Sequence, residues 1–252
     1  MIFDHIKRFR MSRLVMGFFV LAFVCSVSLA GETIRVIRVI DGDTVVLQTG
    51  QRVRLLGINA PEIGYKGKVS EIGAKAAQKY LKSKVLNKNI TLEIDIEYED
   101  KYTRRLAHIF LENGLHINED MLRRGLAVLS LHPPNLKYQT DLMLAQGYAE
   151  EEQVGLWLLE DYQLKPIRLV ERSKRKKWGR YSATVRKVTL SKKGAKLWLT
   201  KESYIWVSSN SYPYFTNLKA YVGKTIEIRG WPRKWGKHWS IQVIHPSQMI
   251  VR

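Results

Sequence analysis

The amino-acid sequence predicts a mainly β protein with packed helices, an α+β fold of two small barrels in succession. Three observations carry that expectation. Short runs rich in Val, Ile, Thr and aromatic residues recur along the chain, bounded by Gly, Asn and Asp turns. Three stretches with apolar residues at helical spacing lie among them before residue 160, and a further short helix is compatible with Tyr214–Tyr221. A basic run, Ser173-Lys174-Arg175-Lys176-Lys177, then breaks the periodicity before strands resume. The expected division is a targeting segment at 1–30, a five-stranded barrel with three packed helices at 31–160, a basic linker at 161–178 and a second small barrel at 179–252.

Residues 1–30 set Lys7, Arg8, Arg10 and Arg13 before an apolar run, Leu14 to Leu29, that ends in Ser28-Leu29-Ala30. A basic start, an apolar centre and small residues before the cut describe a secretory signal peptide. The run is short for a membrane span, which needs about 20 apolar residues. Export to the periplasm or beyond is expected, with an uncleaved inner-membrane anchor as the alternative. Cleavage removes Cys25, the only cysteine, so stability then rests on the core and not on disulfides.

The strands begin at Thr33–Ile40, where Arg35 and Arg38 differ in parity and a bulge is expected. Thr44–Gln48 and Arg52–Ile58 follow, joined by a turn at Thr49-Gly50. Ser70 is the expected cap of a helix running to about Val85. Ile90–Tyr98 alternates throughout and predicts a half-buried strand with an acidic outer face. Then come a strand at Arg104–Glu112, a hairpin turn at Asn113-Gly114 and a short helix capped by Asn118. A longer helix is expected from about Gln139 to Gln153. Beyond the basic run, strands at Tyr181–Thr189, Lys196–Thr200, Tyr204–Val207, Thr225–Trp231 and His238–Ile244 suit a five-stranded barrel of the OB type.

The net charge is +19, and +16 for residues 31–252 with their 38 basic and 22 acidic side chains. A surface that basic seeks polyanions, nucleic acid or anionic lipid. No amphipathic helix outside the first thirty residues supports the lipid partner. The six histidines show no paired metal-ligand spacing, and most are expected at the surface or half-buried.

The chemistry concentrates in Ile40–Glu62, with Asp41 and Asp43 in one loop, Arg54 in a strand and Glu62 after Pro61. Arg104 lies further along. A phosphodiester is anionic and resists water, so its cleavage needs charge neutralisation, an activated water and a stabilised transition state. Guanidinium groups clamp phosphate oxygens and stay charged; a hard cation takes oxygen ligands; a carboxylate can orient or deprotonate water. Taken singly, each residue has an ordinary role open to it: Asp-Gly as a turn, Arg54 at a strand edge, Arg104 paired with Glu93 or Asp95.

The ordered motifs DGDT (41–44), RLLGINAPE (54–62), DKYTRRLAHIF (100–110) and NGLHINEDMLRRGLA (113–127) resemble the thermonuclease, or staphylococcal nuclease-like, family over roughly residues 33–158. The resemblance implies an OB-fold barrel and phosphodiester hydrolysis. It implies that Arg54 and Arg104 hold the scissile phosphate and that Glu62 acts on the attacking water. It places Ca2+ on Asp43, with Asn59 and the backbone carbonyl of Ala60 at the other ligand positions, and Lys101 and Tyr102 on phosphate. Asp41 is expected behind the metal ligands. Asn59 and Ala60 stand where the family's best-known member has Asp and Thr. The lost negative charge implies weaker calcium binding. Leu129, Leu131 and His132 stand where nucleotide-stacking tyrosines are expected.

Towards the C-terminus, Trp178, Trp198, Trp206, Trp231, Trp235 and Trp239 alternate with cations. Aromatics beside cations suit single-stranded nucleic acid. The hairpin WPRKWGKHW is the better candidate, through Trp231, Arg233, Trp235 and Lys237; Trp198 and Trp206 could equally fill the barrel. The expected protein is therefore an exported, calcium-dependent nuclease of DNA, RNA or both, monomeric and with no protein partner implied. The rival is a non-catalytic nucleic-acid-binding protein on the same fold.

Overall fold

The computed structural model describes residues 32–172 and 177–252. The signal-peptide expectation and all but Lys177 of the basic run lie outside the described residues. Gly31–Arg252 forms one compact unit.

The first half is the expected barrel. Strands β1 (Glu32–Val39), β2 (Thr44–Leu47) and β3 (Arg52–Leu55), then β5 (Asn89–Glu93) and β6 (Arg105–Phe110), close in the order β1-β2-β3-β6-β5, with β3 and β6 parallel. A short ladder of β4 (Ile58–Asn59) and β7 (Val128–Leu129) lies beside it. The bulge expected in β1 appears as a register shift between Val36 and Arg38. It keeps Val36 and Val39 inside while Arg35 and Arg38 stay in water. Helices α1 (Ala74–Val85), α2 (Ile117–Arg123) and α3 (Gln139–Glu151) bury Ala77, Leu81, Met121, Leu122, Leu142 and Ala145 in the same core as the barrel strands.

Three local expectations change. Ser70 does not cap α1: its hydroxyl accepts the Gly64 N–H at 3.0 Å, and α1 starts after Gly73, which holds φ 89. The intervening loop is closed instead by the Glu62 N–H on Glu71 Oε2 and the Glu71 N–H on Glu62 O. Asn118 is not a cap either. It is fully buried inside α2, donates to Leu56 O at 2.8 Å and accepts the Ile109 N–H at 3.0 Å, so it ties the helix to the barrel. β5 ends at Glu93, and Ile96 and Tyr98 are exposed despite their alternation. The acidic side chains beyond that point are taken by the 135–138 loop, through Asp95 on the Lys137 N–H and Glu97 on Asn135.

His108 and His116 also depart from expectation: they are buried, 3.1 Å apart between ring nitrogens, and packed on Phe110 and Tyr138. Burial holds both below the usual imidazole range, His108 down to about 3 and His116 to about 4. The unfolded chain therefore binds protons that the folded one refuses as pH falls below about 6.5, and stability is lost in that direction. Between pH 7 and 4.5 the unfolding free energy should drop by about 5 kcal/mol for the two together. Thermal melts of wild type and His108→Gln/His116→Gln check this; an equally steep decline in the variant would assign the acid sensitivity elsewhere.

The segment expected as a linker carries β8 (Leu164–Pro166) and α4 (Arg168–Arg172) in its described part, and β8 adds to the next sheet. The remaining strands are β9 (Gly179–Thr184), β10 (Lys187–Ser191), β11 (Gly194–Trp198), β12 (Ser203–Ser208), β13 (Thr225–Gly230), β14 (Pro232–Trp235), β15 (His238–Gln242) and β16 (Met249–Val251). They form two sheets, β10-β11-β12-β15-β14 and β16-β13-β9-β8, around one core that includes Val185, Leu197, Ile205, Ile226 and Ile241. β9 runs on into β10, and β13 into β14, each as one strand bent across both sheets. Followed through those bends, the circuit has the strand order of the first barrel, with β12 and β15 parallel as β3 and β6 are.

The two halves meet at α3. Arg229 of β13 forks onto Glu150 at 2.5 and 2.8 Å, and Arg180 of β9 reaches the same carboxylate at 3.3 Å. Beneath them Glu227, wholly buried, accepts from Arg180, Arg229 and Arg252. Burial alone would raise its pKa; the three guanidiniums outweigh that and hold it at about 2. Trp157 packs edge to face on both Tyr162 and Trp178 alongside, and those two rings are tilted against each other.

Candidate active site

The site starts from a turn. The Asp41 side chain accepts the Asp43 N–H at 3.0 Å, which curls the loop before β2. Gly42 allows the loop to lie flat, since a Cβ there would come within 2.5 Å of Ala60 and 2.6 Å of Ala77. Asp43 is thereby buried, with Oδ1 on the Thr44 hydroxyl and Oδ2 on the Ala60 N–H at 2.7 Å. Thr44 faces Arg54 across the β2–β3 ladder, and Arg54 NH2 reaches Asp43 Oδ2 at 3.1 Å. Arg54 also donates to Leu55 O at 2.8 Å and to Asn59 Oδ1 at 3.1 Å. These bonds fix the guanidinium at the mouth of the barrel.

Glu62 follows β4 and opens onto a cleft of about 660 Å³. Burial, then Asp43, push its pKa up against the pull of Arg54 and Arg104. The shift moves it towards the range of a useful base at neutral pH. Burial and Asp43, with Glu62 further off, push Asp41 up to about 7. The loop thus crowds more negative charge than Arg54 alone relieves.

Arg104 sits just before β6 and is paired with Asp100, through Nε at 2.8 Å and NH2 at 2.6 Å. It does not pair with Glu93 or Asp95; Glu93 is taken by Lys137 and Tyr138. Asp100 also closes the turn that presents Lys101 and Tyr102, accepting the N–H groups of Tyr102 and Arg104. Lys101 and Arg104 both lie over the Tyr102 ring, at 5.0 and 5.5 Å. Arg105 points the other way, onto Glu32.

Among the described residues no three His, Cys, Asp or Glu side chains are placed to hold a metal by themselves. The donor set near Asp43 nevertheless fits a hard cation, because all its atoms are oxygens and Asp41 is under-neutralised. Arg54 competes for that set: it holds Asn59 Oδ1 and one Asp43 oxygen, while Asn59 Nδ2 leans on the Ala60 carbonyl at 3.4 Å. These bonds occupy Asn59 Oδ1 and Asp43 Oδ2 with the guanidinium.

Arg54, Asn59, Glu62, Lys101 and Tyr102 line one wall of the cleft, with Leu129, Leu131 and His132 beside them. The opposite wall comes from the second half of the chain, through Trp178, Arg229, Trp231, Arg233 and Gln242. Of the four hairpin residues expected to contact nucleic acid, Trp231 and Arg233 face the cleft. Trp235 and Lys237 stand at the exposed hairpin tip, outside its lining. Sequence inspection named Trp178 only within the general row of tryptophans, and it missed Gln242 and the clamp that positions this wall. Nothing in the local spacing of those residues marks them.

The sequence model of the staphylococcal nuclease homologue family matches residues 52–158. A thermonuclease of Staphylococcus intermedius is 37% identical over 135 residues, covering 52% of this chain and 80% of the relative. A thermonuclease of Staphylococcus hyicus is 33% identical, covering 50% and 76%. An uncharacterized endonuclease of Escherichia coli is 32% identical, covering 49% and 75%. The barrel, the cleft and these likenesses agree: the chain belongs to the staphylococcal nuclease homologue family and is a phosphodiester-cleaving nuclease.

Proposed function

We propose that the chain is an exported nuclease that cuts DNA, RNA or both in this cleft, assisted by calcium. The observation that carries the proposal is that Arg54 and Glu62 share a cleft with the basic and aromatic residues Trp231 and Arg233, while buried Asp43 pairs with Arg54 at 3.1 Å from behind the lining. Arg54 and Arg104 hold the scissile phosphate and neutralise the charge that builds on its oxygens. Arg104 is held by Asp100 through Nε and NH2. Glu62 orients a water and takes its proton, helped by its raised pKa. Lys101 and Tyr102 steady a neighbouring phosphate, and Trp231 and Arg233 receive the strand on the far wall. Trp235 and Lys237 extend that basic surface at the hairpin tip. Asp43, Asn59 and the Ala60 carbonyl, with Asp41 behind them, would hold Ca2+, which supplies further neutralisation of phosphate charge.

Incubating the chain with single- and double-stranded DNA and RNA, with Ca2+ or with chelator, tests the proposal. Cleavage that chelator abolishes is expected. Binding without cleavage in both conditions would favour the non-catalytic rival. Asn59→Asp restores a charge to the donor set, so the Ca2+ midpoint of activity and of calorimetric titration should fall about fivefold or more; an unchanged midpoint would remove Asn59 from the metal site. Export predicts a secreted form beginning at Gly31, readable by intact-mass measurement.

A further inference from the structure

We propose that the outer face of the five-stranded sheet β10-β11-β12-β15-β14 binds single-stranded nucleic acid and leads it into the cleft. The identity of the polymer rests on the nuclease assignment above. Side chains alternate across a sheet, so register decides which of them share the outer face. One row runs Thr189, Lys196, Trp206 and Gln242; the next runs Lys187, Trp198, Tyr204, Ser240 and Arg233. The intervening residues Leu197, Ile205 and Ile241 are buried in the core. The two rows therefore start among lysines and end at Gln242 and Arg233, which line the cleft with Arg54 and Glu62.

At the far end, Lys187, Lys193, Lys196 and Lys201 line one pocket with Trp198 and Trp206, and no acidic side chain lines that pocket; Glu171 lies at its edge, held by the Thr200 hydroxyl. Lys196 Nζ lies 4.9 Å from the Tyr204 ring and 5.7 Å from that of Trp198. Lysines crowded together without carboxylates repel one another, and a polyanion relieves that repulsion. The indoles offer stacking platforms, and only an unpaired strand has base faces free to use them. Five strands spaced about 4.8 Å apart make a track of about 19 Å, consistent with the roughly 4 to 16 nucleotides one OB barrel holds.

Fluorescence anisotropy on the full chain carrying Glu62→Gln tests this with labelled single strands of about 4 and about 16 nucleotides. The longer strand should bind at least tenfold tighter. Adding Lys187→Glu, Lys196→Glu and Lys201→Glu should erase that advantage and reduce the salt slope by about 2, while the short strand, which the cleft alone holds, loses under threefold. A circular-dichroism melt checks folding, with the Lys→Gln series as replacement should the Glu series melt early. Retention of the length advantage would overturn the proposal. So would preferential loss of binding to phosphatidylserine vesicles with strand binding intact, which would make the face a membrane contact. Wild-type protein that cleaves nothing would overturn the nuclease assignment alone, since anisotropy reads the track without turnover.

Discussion

Glu62→Gln should lower kcat by about 10²–10⁴ while leaving KM within a few-fold, because the amide keeps the shape of the carboxylate but cannot take a proton. The expected size follows from the role proposed for Glu62, which burial and Asp43 favour by raising its pKa. Arg54→Ala should cost about 10²–10³ in kcat and raise KM as well, since the guanidinium serves both ground and transition states. It also strips the buried Asp43 of the guanidinium at 3.1 Å, so the melting temperature should fall too. Arg54→Lys should recover charge but not the fork onto Asp43, Leu55 O and Asn59, and should rescue the fold more than the rate. Steady-state kinetics beside thermal melts separate the two effects. A Glu62→Gln enzyme with wild-type kcat would move the base elsewhere in the cleft.

Glu227→Ala should destabilise the protein by about 3–5 kcal/mol, because it leaves Arg180 and Arg229 buried without their shared carboxylate. For a unit of this size that corresponds to a fall in Tm of roughly 6–20 °C. The consequence reaches the cleft. Arg229 forks onto Glu150 of α3 and itself lines the far wall, so loosening it should raise KM for nucleic acid in variants that still fold. Calorimetry measures the first effect and initial rates the second. A Tm within 2 °C of wild type would show that water replaces the lost carboxylate and that the network is not the clamp inferred above.

How much of this was legible in the sequence depends on the distance over which each feature is made. The barrel strands of the first half were legible because alternation and turn residues act over a few positions, and β1 even declared its bulge through the parity of Arg35 and Arg38. Arg54 and Glu62 were legible as charges where the pattern of a strand did not need them. Ser70 and Asn118 misled for the opposite reason. Each has the side chain of a helix cap, but a partner outside the helix claims it: Gly64 for Ser70, Leu56 and Ile109 for Asn118. Ile90–Tyr98 alternates as a strand should, yet pairing stops at Glu93, where the 135–138 loop takes the acidic side chains.

The sequence by itself determined the fold class, the basic character and the half of the cleft that lies within the matched family stretch. The first two follow from residue type, period and spacing, which are properties of neighbours along the chain; the half of the cleft follows from ordered motifs that resemble the family. Only the tertiary structure decided that His108 and His116 share a dry pocket, that Arg104 rests on Asp100, and that residues 229–242 close the other side of the cleft. The Glu150–Arg229 clamp joins positions 79 residues apart. A contact of that separation is specified by the packing of the barrel against the sheets that follow it and not by any local pattern, so it leaves no period in the sequence from which it could be read.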